Sequence, residues 1–206
     1  MTSALVDPST DKPATRRPVW LIPLVGLLST VVVLGGVGLA IWNHQLTTWS
    51  PPIADTYPPG CGFNGVGCPT RSLVPRQHQG LDYPAPAGTP VTAVHAGTVT
   101  RSESITGASS CEALPSCGGP ELTGYGNLVV IDLAGGDRIQ ALYAHLTERH
   151  VAVGDTVHAG EVIGTVGYQG NVAPLGPDGA HLHFAITQDG RSVDPAAFLR
   201  SKAIRA

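Results

Sequence analysis

Hydrophobic residues follow two contrasting patterns along this 206-residue chain. Residues 1–18 are polar and show no hydrophobic periodicity, which predicts a disordered cytoplasmic tail. Residues 19–42 contain no charged side chain, and a helix of that length crosses a hydrocarbon core of about 30 Å. The pattern therefore predicts a transmembrane helix over residues 19–42. A cleaved signal peptide is the alternative, but its apolar region would be shorter, and no Ala-x-Ala-like site follows.

Basic residues flank only one side of this span. Lys12, Arg16 and Arg17 precede it, whereas the first basic residue after it is Arg71. Because Lys and Arg are enriched on the cytoplasmic side of membrane helices, we expect the N-terminus inside and everything after the span outside. The protein is thus predicted to be a single-pass protein of the cytoplasmic membrane.

A proline-rich segment and a larger domain follow the span. Residues 43–60 contain four prolines without an apolar pattern, and we interpret them as a semi-rigid tether. Residues 61–200 are interpreted as the main domain, with a core over 76–195, and residues 201–206 as a C-terminal tail.

In the main domain, short apolar runs alternate with Gly and Pro, as is typical of β-strands joined by tight turns. Two similar turn-and-strand stretches, residues 86–93 and 153–160, favour a compact antiparallel β-roll or sandwich, so the fold class is mainly β. Asp194 as an N-cap followed by Pro195 predicts a short C-terminal helix. The predicted strands are residues 91–95, 97–100, 127–132, 139–145, 162–166 and 181–187.

The four cysteines form two pairs that are close in sequence, Cys61 with Cys68 and Cys111 with Cys117. Neither pair has the Cys-x-x-Cys spacing of a zinc knuckle or a redox dithiol. We therefore interpret them as disulfides formed in an oxidising compartment, with the local pairing favoured. A structural zinc site made of all four is the alternative. The second pair lies in a polar insertion, residues 101–123, which we interpret as a wall of a groove.

The charge distribution excludes one class of partner. The net charge is -3, and no run of basic residues occurs beyond residue 43. Binding to nucleic acid therefore has no electrostatic support.

Histidines and one carboxylate supply the candidate chemistry. His181 and His183 lie two residues apart in a predicted strand, so both rings are expected to face one space, where they can make half a zinc site. A pair of surface histidines is the alternative. His78 and Asp82 are placed where a loop enters a strand, and His145 ends another strand. Two imidazoles and one carboxylate would leave the fourth position of tetrahedral zinc for water. Zinc lowers the pKa of such a water, and a histidine is suited to accept its proton.

Residues 76–195 resemble the lysostaphin and LytM family of zinc metallopeptidases, which cut peptide bonds in peptidoglycan. The resemblance implies one Zn²⁺ per chain held by His78, Asp82 and His183, with His145 and His181 taking part in catalysis. It also implies a lysostaphin-like antiparallel β fold, of the duplicated-hybrid-motif type, with the site in an open groove. The matching stretches are His78-Gln79-Gly80-Leu81-Asp82, Ala85-Pro86-Ala87-Gly88-Thr89-Pro90-Val91, Gly124-Tyr125-Gly126-Asn127, Tyr143-Ala144-His145-Leu146, Val153-Gly154-Asp155-x-Val157-x-Ala159-Gly160 and His181-Leu182-His183-Phe184.

These features together predict a membrane-anchored zinc metalloendopeptidase of the cell envelope. It is expected to hydrolyse peptide stems and cross-bridges of peptidoglycan through a zinc-activated water, for local remodelling or opening of the wall. The alternative is a catalytically silent scaffold or activator of other cell-wall hydrolases, which would be expected to have lost some of the five residues. A lipoyl or biotinyl carrier is excluded, because no lysine occurs between Lys12 and Lys202.

The sequence departs from the family in two places. Ala185 follows His183-Phe184 where many relatives carry Glu, and the insertion over residues 101–123 is longer than the usual connection. The remaining histidines are interpreted as surface residues: His44, His95, His150 and His158.

Overall fold

The structure is a computed structural model that describes residues 47–68, 78–105, 124–170, 172 and 174–204. The chain divides into two units, residues 1–40 and 41–206, and all of the described residues belong to the second unit. The predicted tail, the predicted transmembrane helix over residues 19–42 and the predicted Cys111–Cys117 disulfide lie outside the described residues. Within the described ranges, no helix has the length and apolar character needed to cross a membrane.

The described residues form two antiparallel β-sheets and one short α-helix. The larger sheet has seven strands in the order β1-β9-β5-β4-β3-β7, with β10 paired to β9, and the smaller has the order β2-β8-β6. This confirms the predicted mainly-β antiparallel fold. The elements are β1 (Leu81–Pro84), β2 (Pro90–Thr92), β3 (Gly97–Ile105), β4 (Gly126–Leu133), β5 (Ile139–Leu146), β6 (Glu148–Arg149), β7 (Thr156–Val157), β8 (Val162–Thr165), β9 (His181–Gln188), β10 (Arg191–Val193) and α1 (Pro195–Ser201).

A single hydrophobic cluster joins the two sheets. Val91 and Ile163 from the smaller sheet are fully buried together with Tyr143 and Phe184 from the larger one. Each such side chain contributes about 1.5–3 kcal/mol when removed from water. The Tyr143 hydroxyl also accepts a hydrogen bond from the Val94 backbone N–H at 2.9 Å. The cluster holds the central strands β5 and β9 in place, and these strands carry three of the predicted site residues.

The predicted strands are all present, with changed ends. Strand β3 continues to Ile105, so residues 101–105 of the predicted insertion are strand, and the rest of the insertion lies outside the described residues. Strand β2 ends at Thr92, three residues earlier than predicted. The predicted C-terminal helix is confirmed, with the Asp194 side chain accepting from the Ala196 N–H at 2.9 Å.

The segment preceding Cys61 packs against the domain. The Ile53 side chain is 2% exposed, and the Ser50 N–H donates to the Val94 carbonyl. Trp49 pairs with His95 in an isolated β-bridge, and the two rings stack with centroids 4.1 Å apart. The interpretation of residues 43–60 as a semi-rigid tether therefore does not describe the residues from Trp49 onward, because the domain buries Ile53 and partly buries Trp49.

Two further predictions concern His95 and the first cysteine pair. The interpretation of His95 as a surface residue is wrong, because the residue is 2% exposed beneath Trp49. The Cys61–Cys68 disulfide is present, so these two cysteines are not available to the alternative four-cysteine zinc site.

Candidate metal centre and active site

The pairing of β1, β9 and β5 brings the predicted site residues to one place. Asp82 on β1 lies directly opposite His183 on β9, and Ala144 on β5 lies opposite His183 on the other side. His145 follows Ala144, and His181 shares a face of β9 with His183. His78 precedes β1 and is turned back towards it by the bend at Gly80. All five predicted residues therefore meet at one end of the neighbouring strands β1, β9 and β5.

Three donor atoms converge in this cluster. The Asp82 Oδ1 atom lies 2.8 Å from His183 Nδ1 and 3.1 Å from His78 Nε2, and the two nitrogens are 3.2 Å apart. Zinc with bonds of about 2.0–2.1 Å to nitrogen or oxygen in tetrahedral geometry separates its ligand atoms by roughly 3.3 Å. The spacing and the chemistry of this donor set therefore fit zinc.

Because Gly80 has no side chain, the His183 ring can occupy the space next to it. A Cβ atom at position 80 would overlap His183 Cε1 and lie 2.6 Å from His183 Nε2. His183 is 5% exposed, and its Nε2 has no hydrogen-bond partner among the described residues. The ring is thus held by packing on one side and by Asp82 on the other, with Nδ1 directed at the donor set.

Backbone carbonyls fix the tautomers of the other three histidines. A carbonyl oxygen accepts hydrogen bonds only, so the ring nitrogen facing it must carry the hydrogen. His78 Nδ1 lies 2.9 Å from the Gly62 oxygen, His145 Nδ1 2.8 Å from the Gln169 oxygen, and His181 Nδ1 2.8 Å from the Gly179 oxygen. In each neutral ring, Nε2 therefore keeps its lone pair. That nitrogen is free to bind a metal in His78 and to accept a proton in His145 and His181.

His145 and His181 lie side by side next to the donor set. Their ring centroids are 4.6 Å apart, and His181 Nε2 is 3.8 Å from Asp82 Oδ1. His145 has a φ of +62°, an uncommon left-handed conformation for a non-glycine residue, of the kind that costs on the order of 1–3 kcal/mol. Its backbone N–H donates to the Tyr125 carbonyl at 2.9 Å. The end of β5 thus turns His145 towards the other histidines.

The environment sets the charge of each group. Burial lowers the pKa of His145 to about 3, and the neighbouring His181 and His183 oppose its protonation further. Burial also lowers the pKa of His183, against the opposing effect of Asp82. For Asp82, burial disfavours the charge, but hydrogen bonds from His183 and His78 hold its pKa far below the ordinary value. Asp82 is therefore ionised at neutral pH, while His145 and His183 are neutral.

His78 differs from the other buried histidines. Burial acts to lower its pKa, but the hydrogen bond and the charge of Asp82 outweigh burial, so the pKa is raised. A cation at the donor set would replace the proton that Asp82 favours on His78.

Tyr125 faces the site, although no role was predicted for it. Its ring centroid lies 5.1 Å from that of His183 and 6.3 Å from that of His145. Burial and the charge of Asp82 raise the pKa of its hydroxyl, which therefore stays protonated at neutral pH. The sequence signal that could have identified Tyr125 is the matching stretch Gly124-Tyr125-Gly126-Asn127.

Several polar residues away from the site have ordinary roles. Asp132 accepts a hydrogen bond from Gln140 on the exposed side of the sheet, and Asp194 caps α1. His150 lies 3.2 Å from Glu148 at the surface, and His158 is exposed, as predicted for both. His44 lies outside the described residues.

Comparison with known proteins identifies a family. Residues 76–195 match the family described as Peptidase family M23. The chain is 38% identical over 122 residues to the DD-carboxypeptidase/endopeptidase Mpg of Neisseria meningitidis, a region that is 59% of this chain and 23% of that protein. It is 32% identical over 120 residues to the peptidoglycan DD-endopeptidase ShyC of Vibrio cholerae, a region that is 58% of this chain and 22% of that protein. The matched region thus spans less than a quarter of the length of these curated relatives.

A solved structure has the same fold. The antimicrobial peptidase lysostaphin from Staphylococcus simulans superposes with a TM-score of 0.56 at 25% identity, covering 76% of this chain and 54% of that one.

Proposed function

Because the chain belongs to Peptidase family M23, we propose that it is a zinc metalloendopeptidase that hydrolyses peptide cross-links of peptidoglycan. The observation that carries this proposal is the convergence of His78 Nε2, Asp82 Oδ1 and His183 Nδ1 to within 3.2 Å of one another. The names of the curated relatives, which include a peptidoglycan DD-endopeptidase, support the substrate class.

The three converging residues would hold zinc through two nitrogens and one oxygen, which leaves one position of a tetrahedral site open, as in catalytic centres. When bound, zinc polarises the carbonyl of the scissile bond and lowers the pKa of water towards neutrality. Asp82 contributes the negative charge that favours a cation here, and the Gly62 carbonyl keeps the lone pair of His78 on Nε2.

His145 and His181 handle the protons of the reaction. Each is pinned at Nδ1 by a carbonyl, so each offers Nε2 as the proton acceptor. Hydrolysis requires that one proton leaves the attacking water and that one reaches the nitrogen of the leaving amine as the C–N bond breaks. His145 and His181 lie beside the donor set and can accept the proton from water and deliver a proton to the amine. The protonated Tyr125 hydroxyl is a hydrogen-bond donor for the substrate.

The alternative of a catalytically silent scaffold is not favoured. A scaffold does not need three converging donor atoms, nor two neighbouring histidines whose tautomers are fixed by backbone carbonyls. This chain has all five residues in place.

The proposed location is the outer face of the cytoplasmic membrane, with residues 19–42 as an uncleaved anchor. Support comes from the uncharged span, from the basic residues on its N-terminal side and from the Cys61–Cys68 disulfide, which suits an oxidising compartment. Protease added to intact spheroplasts should remove the domain and leave a membrane-bound N-terminal fragment. Protection of the full-length chain would contradict this topology.

The function is tested with full-length protein in detergent and isolated peptidoglycan. We expect hydrolysis that a zinc chelator abolishes and that added zinc restores. Replacing His145 by Ala should lower the rate by about 10²-fold or more, the usual scale of a lost general acid or base. His158→Ala, at an exposed position away from the site, is the matched control and should keep the wild-type rate. Hydrolysis that survives both the chelator and His145→Ala would rule the proposal out.

A further inference from the structure

A disulfide-closed loop, residues 61–68, lies directly against the metal centre. The Gly62 carbonyl of this loop accepts the hydrogen bond from His78 Nδ1 at 2.9 Å, and the Cys61 Sγ atom is 3.6 Å from the same nitrogen. The loop therefore touches the side of the His78 ring opposite Nε2, the atom that faces Asp82 and His183.

The loop also holds the backbone of both His78 and Asp82. The Asp82 N–H donates to the Cys61 carbonyl, and the Asn64 N–H donates to the His78 carbonyl, each at 2.8 Å. Just before the loop, the Gly60 N–H donates to the Asp82 carbonyl, also at 2.8 Å. Two of the three candidate metal ligands thus depend on this one segment for their position.

The conformation of the loop depends on its disulfide. No residue of the loop belongs to the hydrophobic core, and Val66 is 73% exposed. Asn64, Gly65 and Gly67 all have positive φ values, of 56°, 80° and 73°. Side-chain packing therefore does not hold the conformation of these eight residues, and the Cys61–Cys68 bond does so by closing them into a covalent loop.

We propose that the Cys61–Cys68 disulfide keeps the metal-binding residues in position and that a thiol reverses this effect by reducing the bond. We call this disulfide the lock. Opening it creates a second, competing metal site from Cys61, Cys68 and His78. The proposal rests on the proposed zinc site. A dithiol opens the lock: the S–S bond breaks, each sulfur gains one electron and one proton, and the dithiol is oxidised to its own disulfide.

The two sites exclude one another through His78. The ligand atoms of Cys61, Cys68 and His78 lie within 4.8 Å of one another, and zinc binds sulfur and imidazole nitrogen well. On the sulfur side, His78 is reached through Nδ1. A neutral imidazole has one lone pair available for a metal, so binding through Nδ1 moves the hydrogen to Nε2. His78 can then no longer bind a metal together with Asp82 and His183. Metal at the sulfur site therefore disables the catalytic one.

Cobalt binding to the full-length protein tests the lock. The oxidised protein should bind one Co²⁺ without a sulfur-to-cobalt charge-transfer band in the near ultraviolet. After reduction with dithiothreitol and anaerobic desalting, the band should appear. The Cys61→Ala/Cys68→Ala variant lacks this bond and its two thiols and keeps only Cys111 and Cys117, so reduction should not produce the band. Its zinc affinity, measured in competition with a chromophoric chelator, should fall about 10- to 100-fold, the scale of a lost ligand-orienting partner.

The other two cysteines provide the matched control. The Cys111→Ser/Cys117→Ser variant should respond to reduction as the wild type does, because its only thiols are those of Cys61 and Cys68. It also carries the test by itself if far-ultraviolet circular dichroism shows that the Cys61→Ala/Cys68→Ala variant is unfolded.

The outcomes separate this inference from the proposed function. Metal binding by the oxidised protein that reduction leaves unchanged, with no charge-transfer band in the Cys111→Ser/Cys117→Ser variant, overturns the lock alone. Failure of the folded, oxidised protein to bind Co²⁺ or Zn²⁺ overturns both the lock and the zinc site.

Discussion

At the scale of single residues, three backbone carbonyls decide which nitrogen each histidine offers. Gly62, Gln169 and Gly179 each accept from an Nδ1–H, which leaves Nε2 of His78, His145 and His181 with a lone pair. His183 is the exception, since its Nδ1 faces Asp82. The same residue type therefore directs a different nitrogen at the candidate metal site, according to the groups that surround it.

The two histidines of β9 should separate metal binding from catalysis. His183→Ala removes a converging donor atom, so zinc should be lost on dialysis together with activity. His181→Ala leaves the three donors intact and should keep most of the zinc while the rate falls about 10²-fold or more. Zinc content and peptidoglycan hydrolysis measured on the same samples check this. Equal zinc loss in both variants would contradict the separate roles.

Gly80→Ala should weaken zinc binding without removing any ligand. The added methyl group would displace the His183 ring, and a misplaced ligand typically costs about 10- to 100-fold in affinity. Competition with a chromophoric chelator measures the loss. Gly136→Ala is the matched control: position 136 has open space around it but a φ of 81°, which strains an alanine and not a glycine, so this change should lower stability but leave the zinc affinity unchanged. Equal affinities for the two variants would argue against this packing role.

The buried histidines should make the metal-free protein less stable in acid. The unfolded pKa of His145 is about 6.5 and its folded pKa is about 3, so its contribution is complete above pH 6.5 and is lost as the pH falls towards 3. The loss amounts to about 2 kcal/mol between pH 6.5 and pH 5. His183, with a lowered pKa, acts in the same direction. His78, with a raised pKa, acts in the opposite one, whereas the contribution of Asp82 is lost only at lower pH.

Denaturant unfolding in the presence of chelator, at pH 7 and at pH 5, measures this effect. His145→Gln should show a smaller difference between the two pH values than the wild type. His158→Gln, at an exposed position, is the control and should match the wild type. An unchanged pH dependence in His145→Gln would contradict the burial effect.

At the scale of elements, strand length limited what the sequence could predict. The longer strands β3, β4, β5 and β9 have enough residues for an apolar pattern, and each was predicted. Among the strands of two to four residues, β2 and β8 were also predicted, and β7 lies within the predicted turn-and-strand stretch 153–160. Strands β1, β6 and β10 were missed, because so few residues show no clear period. Asp82 was nevertheless identified, because a motif and not a strand pattern pointed to it.

Site residues were predictable only where side chains carry the chemistry. The ligand set followed from the family resemblance, but the supports at Gly62, Gln169 and Gly179 act through backbone carbonyls, which every residue type has. Their role depends on loop geometry that no residue pattern encodes. Tyr125 lies between these cases, since its motif was noticed without a role.

Docking of the segment before Cys61 is a contribution of one element to stability. Trp49 stacks on His95, packs edge-on against Phe198 at 5.5 Å and lies 4.9 Å from the Lys202 ammonium. Trp49→Ala should lower the free energy of unfolding by about 2 kcal/mol, less than a full core truncation because the side chain is only half-buried. Zinc affinity should not change.

Denaturant unfolding of the zinc-free protein measures the Trp49→Ala effect. Leu175→Ala is the control: this side chain is 79% exposed, so its removal should cost no more than about 0.5 kcal/mol. A Trp49→Ala variant as stable as Leu175→Ala would mean that the docked segment does not stabilise the domain.

At the scale of the whole molecule, a proposed membrane anchor precedes a peptidase domain. The chain is packed against the domain from Trp49 onward, so these residues add no free linker to the proposed anchor. On this proposal, the domain works close to the membrane surface. Its substrate would then be the part of the wall nearest the membrane, which fits local remodelling or opening better than general lysis.

Mass spectrometry of the products released from defined, cross-linked muropeptides is the decisive test of zinc-dependent cross-link hydrolysis. We predict cleavage of one peptide bond per cross-link with the glycan strands intact, dependent on zinc and absent with His183→Ala. Products cut in the sugar backbone, or peptide cleavage that persists in metal-free His183→Ala protein, would contradict the proposed function.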